Sequence, residues 1–219
     1  MSKGSAFIVG VGPGLGLALA EAFARDGNPV ALFGRDVARL EKYVSGLVAE
    51  GRTANAYQAD VADSEGLRAA LAQAADDLGA PELLVYNAAL LAPDTPTGPD
   101  AKDFAHTLAV NVTGAMVAAR TVLPLLRGGR GSLLFTGGAF ALHPSPEYTS
   151  LSVGKAALRA YVQALHKQQQ GSDVHVTTVT VAGYIGGEDP RFAPKTLAAT
   201  YLDLHHQPQD QWQAELLYA

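Results

Sequence analysis

Six short runs of β-forming residues take turns with longer amphipathic runs along the chain, and no other feature narrows its possible folds so far. The strand candidates are Ala6 to Val9, Pro29 to Phe33, Thr53 to Gln58, Leu83 to Tyr86, Ser132 to Phe135 and His175 to Val181. Helix candidates fall between them, near Leu15 to Asp26, Arg35 to Glu50, Ser64 to Leu78, Lys102 to Leu126 and Ser152 to Gln169. Strands separated by helical crossovers return parallel to one another, with the helices packed on the sheet's faces. The order predicts an α/β fold, a doubly wound parallel sheet of about six or seven strands. Asp63 and Ser64 read as a helix start, Gly51 and Gly79 as helix ends, and Gly128-Gly129 as the end of a long helix. The Pro- and Thr-rich segment Pro93 to Pro99 is a loop by composition. Beyond Gly186 lie Pro190, Pro194, Pro208 and a short helical stretch from Lys195 to His206, expected to cap the sheet's carboxyl edge, with Trp212 and Tyr218 as anchors.

A chain of 219 residues suits one domain over residues 1–219, large enough to bury a full core. The formal charge of −5, with 16 Lys and Arg spread along the sequence, offers no basic cluster for nucleic acid. The absence of cysteine excludes disulfides, thiol catalysis and thiolate metal sites. The start Met1-Ser2-Lys3-Gly4-Ser5 runs straight into Ala6 to Val9 without a signal peptide's pattern, and no uncharged apolar stretch reaches spanning length by this reading. A cytoplasmic protein without membrane partners is the expectation.

Gly10, Gly14 and Gly16 stand between the first strand and the first helix, where main-chain amides can approach a pyrophosphate and the helix terminus adds positive partial charge. Asp60-Val61 follows the third strand, Asn87-Ala88-Ala89 the fourth, and Asn111 lies within the run Val110 to Gly114. In order and spacing these landmarks resemble the short-chain dehydrogenase/reductase family. Val9 replaces that family's common threonine, Tyr86 the first asparagine of its Asn-Asn-Ala-Gly run, and Ala89 the glycine. The resemblance covers about 180 positions and implies a Rossmann fold binding NAD or NADP against Gly10, Gly14, Leu15, Gly16, Asp60, Val61, Asn87, Ala88, Lys155 and Ile185. It also implies a homodimer or homotetramer packed through the regions Lys102 to Leu126 and Ser152 to Gln169.

Cofactor choice is read after the second strand, at Phe33-Gly34-Arg35-Asp36. Gly34 occupies the position where an acid would select NAD, and Arg35 can pair with the 2′-phosphate of NADP. NADP(H) is therefore expected over NAD(H). The plainer reading makes Arg35 a solvated residue and Asp36 an amino-terminal cap.

The family's proton-exchanging tyrosine lies four residues before its lysine, and its serine thirteen before the tyrosine. Here those positions hold Leu151 and Gly138, neither able to exchange a proton, while Lys155 and Asn111 remain. Tyr148 lies seven residues before Lys155. On a helix that spacing turns roughly 700° and advances about 10 Å, returning to nearly the same face. Tyr-x6-Lys resembles the enoyl-acyl-carrier-protein reductases within this superfamily, and implies Tyr148 as a relocated donor with Lys155 and Asn111 as its catalytic partners. Alternatively, Tyr148 is a loop aromatic that packs under the tail. His143 is either a substitute acid or a substrate-side or surface residue, Ser150 and Ser152 read as helix-start residues, and His205-His206 lacks carboxylates at metal spacing, so no metal site is assigned.

The leading expectation is an NADP(H)-dependent oxidoreductase acting on a small enone or related carbonyl compound. Two others stay open: a redox-inactive nucleotide-binding scaffold, and a lyase or isomerase on the same fold.

Overall fold

The computed structural model describes residues 3–126, 128 and 130–219. Seven strands form one sheet: β1 (Ser5–Val9), β2 (Val30–Gly34), β3 (Ala54–Gln58), β4 (Pro81–Tyr86), β5 (Gly131–Thr136), β6 (Val174–Val181) and β7 (Glu215–Tyr218). Their order is β3-β2-β1-β4-β5-β6-β7, and every pairing is parallel. The winding reverses between β1 and β4, which opens a crevice beyond the carboxyl ends of those strands.

The helices divide between two faces. On one, α1 (Leu15–Asp26), α2 (Val37–Ala49) and α7 (Pro194–His206) pack through Leu19, Phe23, Leu40 and Tyr201. On the other, α3 (Ser64–Leu78), α5 (Gly114–Val122) and α6 (Thr149–Gln168) pack through Leu67, Leu71, Val122, Leu158 and Val162. Central strands read as near-continuous apolar runs because both faces are covered. Asp63 caps α3 by accepting from the amides of Glu65 and Gly66, and Gly79 ends it at φ 81°. Gly128 has φ 65°, whereas Gly129, expected to end a helix with it, lies outside the described residues.

Two expectations change. The helix expected over Lys102 to Leu126 is interrupted: α4 (Ala101–Leu108) and α5 flank a π-helical turn, Ala109–Thr113, and the run closes in a 3₁₀ turn, Leu123–Leu125. Such a turn needs outside partners for its loosened main chain. The Tyr86 hydroxyl donates to the Val110 carbonyl at 2.6 Å, which explains a tyrosine where the resemblance leads one to expect asparagine. The combined run Ala101–Leu125 is long and apolar enough to cross a membrane by length and composition, but it carries Lys102, Asp103 and Arg120 and so is not the uncharged stretch whose absence the sequence reading noted. Ala115, Ala118 and Val122 of that run are instead buried in the core.

The tail supplies the second change. Instead of capping the carboxyl edge, α7 lies beside α1 with Leu197, Ala198, Tyr201 and Leu204 inward, an apolar stripe at helical spacing. Its end is fastened near the amino edge, where His205 Nδ1 and Ser132 Oγ share a hydrogen bond of 2.9 Å and His206 Nε2 meets Asp26 at 2.8 Å. Trp212 stacks on His175 with centroids 4.9 Å apart, and the Tyr218 hydroxyl donates to the Arg191 carbonyl at 2.8 Å.

Candidate functional site

A cavity of about 1120 Å3 fills the crevice at the β1–β4 switch point. It runs from Arg35 and Asp60 past the glycine turn to Lys155, Leu151 and Tyr184. Every residue that the sequence assigns to the cofactor lies on its wall.

The nucleotide end is built from main chain. Gly10 adopts φ 91°, a region closed to most side chains, and a Cβ there would lie 2.4 Å from the Ala88 amide nitrogen. At Gly12 and Gly14 a Cβ would meet nothing within 4 Å, so it would project into open space at the start of α1. No side chain caps α1 and no acid sits in its first turn, which leaves its amino-terminal amides facing the crevice. This bare, positively polarised cradle fits the pyrophosphate of a dinucleotide. At the far end, Asp36 caps α2 through the Arg39 amide at 3.1 Å and pairs with the Arg39 guanidinium at 3.0 Å. Arg35 is exposed, and among the described residues it enters no ion pair.

The chemical end depends on side chains. Lys155, 7% exposed in the second turn of α6, donates from Nζ to the Thr136 carbonyl at 2.7 Å. Burial without an opposing carboxylate pulls its pKa down to about 8. Gly138 lies beside it: the nearest neighbours of a Cβ there would be Lys155 methylenes, at 3.7 to 3.8 Å. Leu151, one turn before Lys155 and 3% exposed, occupies the wall where a tyrosine would stand.

Tyr148 is placed differently from its expected position. Helix α6 begins at Thr149, and Tyr148 is its cap residue with φ −144° and ψ 52°, so helical spacing does not carry its side chain onto the face of Lys155. Its ring stacks on Phe140, with centroids 5.6 Å apart and planes at 17°. Phe140 lines the cavity, and Tyr148 is not among the lining residues. Asp94 secures this corner, its carboxylate accepting from the Ser150 amide at 3.1 and 3.2 Å. Asn111, 1% exposed, grips the Leu90 main chain: Oδ1 accepts from the amide at 2.8 Å and Nδ2 donates to the carbonyl at 3.3 Å. Its amide therefore shapes the loop that carries Leu90 and Leu91 into the wall. His143 is exposed and outside the lining residues.

Two residues gain roles that the sequence did not signal. Thr136 Oγ1 donates to Asn87 Oδ1 at 3.0 Å, so the 2.7 Å bond between Thr136 and Tyr201 takes its proton from the tyrosine. Asn87 Nδ2 donates in turn to the Gly10 carbonyl at 3.0 Å. A buried relay thus joins α7 to the glycine turn, and the same Thr136 receives Lys155. Tyr201 is wholly buried and its pKa is raised by desolvation, which keeps it a proton donor.

Comparison with known proteins agrees with this architecture. The short chain dehydrogenase family profile matches residues 5–186. The chain is 33% identical over 161 residues to the 2,3-dihydro-2,3-dihydroxybenzoate dehydrogenase of Bacillus subtilis (strain 168), covering 73% of this chain and 62% of that one. It is 30% identical over 173 residues to 2-(S)-hydroxypropyl-CoM dehydrogenase 3 of Xanthobacter autotrophicus (strain ATCC BAA-1158 / Py2), covering 78% and 68%. Among solved structures, an alcohol dehydrogenase from the archaeon Thermococcus sibiricus, complexed with 5-hydroxy-NADP, superimposes with TM-score 0.89 at 25% identity, over 98% of this chain and 95% of that one. A metagenomic blue fluorescent protein in complex with NADPH has TM-score 0.86 at 24% identity, over 98% and 95%. With its seven-stranded parallel sheet, its glycine turn and a family match over most of its length, this chain belongs to the short-chain dehydrogenase family.

Proposed function

We propose that the protein is an NADP(H)-dependent reductase of a small conjugated enone or related carbonyl compound. The observation that carries this reading is the continuity of one cavity from Arg35, across the glycine cradle, to Lys155. NADP(H) is favoured because Gly34 withholds an acid and Arg35 has no competing ion pair among the described residues, while Asp36 is engaged with Arg39. The structural neighbour solved with 5-hydroxy-NADP points the same way.

A bound reduced nicotinamide supplies hydride. Addition at the β-carbon of an enone moves the C=C electron pair toward the carbonyl oxygen, and a solvent proton completes the α-carbon. The protein need only hold the enolate oxygen while its charge develops, which is electrostatic stabilisation. Lys155 has two N–H groups beyond the one given to Thr136. With Leu151 and Gly138 in place, enone reduction suits the site better than reduction of a simple ketone, whose alkoxide must take up a proton. Lys155 thus replaces Tyr148 as the group beside the substrate oxygen, and Asn111 acts by positioning the Leu90 loop. Self-association through α5 and α6, implied by the family resemblance, belongs to the same reading and is checked by light scattering.

Leu151 and Gly138 also favour a second reading, a scaffold that binds nucleotide without redox turnover. One experiment separates the two: titrate NADPH and NADH by fluorescence, then follow NADPH absorbance with a panel of enones. Binding with oxidation supports the reductase. Binding without oxidation supports the scaffold, and failure to bind either nucleotide removes the reductase.

A further inference from the structure

Charge is segregated along the cavity. Arg35, Asp36, Arg39 and Asp60 stand at the β2–β3 end, and from the glycine turn to the mouth Lys155 is, among the described residues, the only charged side chain on the wall. The other polar groups there are largely committed: Asn87 to Gly10 and Thr136, and Thr136 to Asn87 and Tyr201. The remaining side chains are mostly hydrocarbon, Leu90, Leu91, Phe140 and Leu151 foremost, followed by Tyr184 at the mouth. Leu91 is 66% exposed and Tyr184 80% exposed, so the apolar wall continues out to solvent.

We propose that the substrate is an uncharged, predominantly apolar carbonyl compound, its single acceptor oxygen held by Lys155 and its hydrocarbon body lying against Leu90, Leu91, Phe140 and Leu151. This rests on the reductase reading and names its substrate class. A carboxylate or phosphate placed here would shed its water against apolar walls, with one partly occupied ammonium as its only ionic partner, an arrangement that penalises a buried charge. A polyol would leave several hydroxyls unpaired, each at the cost of its desolvation. A hydrocarbon body is favoured in proportion to the area it buries. The two side-chain changes work together: Leu151 adds apolar wall, and Gly138 leaves the flank of Lys155 open to the substrate's oxygen.

The test is calorimetric titration of trans-4-phenylbut-3-en-2-one, its para-carboxylate and glucose into the full chain, both free and saturated with NADP+. The neutral ketone is expected to bind at least about tenfold more tightly than the carboxylate, with no measurable glucose binding, in line with the penalty on unpaired polar groups. Leu151→Asn should weaken the ketone several-fold and narrow its advantage over the carboxylate. Equal or tighter binding of the carboxylate, comparable binding of glucose, or no binding of the ketone to either form overturns the proposal. If NADP+ fails to bind while the ketone still discriminates, the reductase reading falls and the apolar assignment stands.

Discussion

The two ends of the cavity differ in what they are made of. The nucleotide end is formed by main chain: Gly10 at φ 91°, Gly12 and Gly14 open to the crevice, and the uncapped start of α1. Its properties follow from the strand-turn-helix path, and its sequence keeps the family's glycines. The chemical end is formed by side chains projecting from the same scaffold, and there Leu151 and Gly138 depart from the family pattern without disturbing the fold. A side chain at Gly138 would find ordinary van der Waals room, whereas one at Gly10 would collide with Ala88. Backbone-defined function thus resists substitution, whereas side-chain-defined function can change at little structural cost.

The largest expected effect breaks the chemical end. Lys155→Met should lower enone turnover by roughly 10²- to 10³-fold, the range typical of losing one donor to a developing oxyanion. Because burial holds Lys155 near 8, turnover of the unmodified protein should fall as pH rises through that value and the ammonium is lost. Stability should move oppositely. The unfolded chain keeps this proton up to the ordinary lysine value of 10.5, so between about 8 and 10.5 the unfolded state binds more protons and this group's contribution to stability rises with pH. Lys155→Met should flatten that rise, measured by denaturant titration across the window.

Next in size is the nucleotide end. Arg35→Ala should weaken NADPH binding by about tenfold or more, corresponding to loss of a charge-assisted hydrogen bond worth roughly 1.5 to 3 kcal/mol, and leave NADH almost unaffected. Equal losses for both nucleotides, measured by fluorescence titration, would remove Arg35 as the reader of the 2′-phosphate.

A smaller effect tests the link between the ends. Tyr201→Phe deletes the first donor of the relay through Thr136 and Asn87 to Gly10, and should cost about 1 kcal/mol in unfolding free energy, the usual net value of such a bond. It should also weaken NADPH binding, an effect that loss of packing far from the turn would not produce. The smallest effect concerns Tyr148. Stacked on Phe140 outside the wall, it should tolerate Tyr148→Phe with turnover changed by no more than about twofold, well below the loss typical of a general acid. A loss of a hundredfold would restore Tyr148 as the donor and place Lys155 behind it.

Much of this molecule was legible from one-dimensional patterns. Apolar runs separated by amphipathic ones specified the parallel sheet, because each periodicity allows one way of burying its apolar face. The glycine spacing located the cradle, since a turn that must expose main chain excludes side chains wherever it occurs. The seventh strand was hidden, because Glu215 to Tyr218 is four residues long and takes its place only by pairing with β6. The interruption at Ala109–Thr113 was equally hidden, because its partners Tyr86 and Leu90 come from distant sequence.

By itself, then, the sequence determined the fold class, the place of the nucleotide cradle and the absence of the family's tyrosine and serine, all properties of local spacing and residue type. Only the tertiary structure decided that Tyr148 stands outside the cavity wall, that Asn111 is bound to a loop, and that Thr136 and Tyr201 hold the turn and the lysine together. Those relations depend on where a helix begins and on which remote side chains meet, and such long-range geometry is set by packing of the whole sheet rather than by the spacing of residues along the chain.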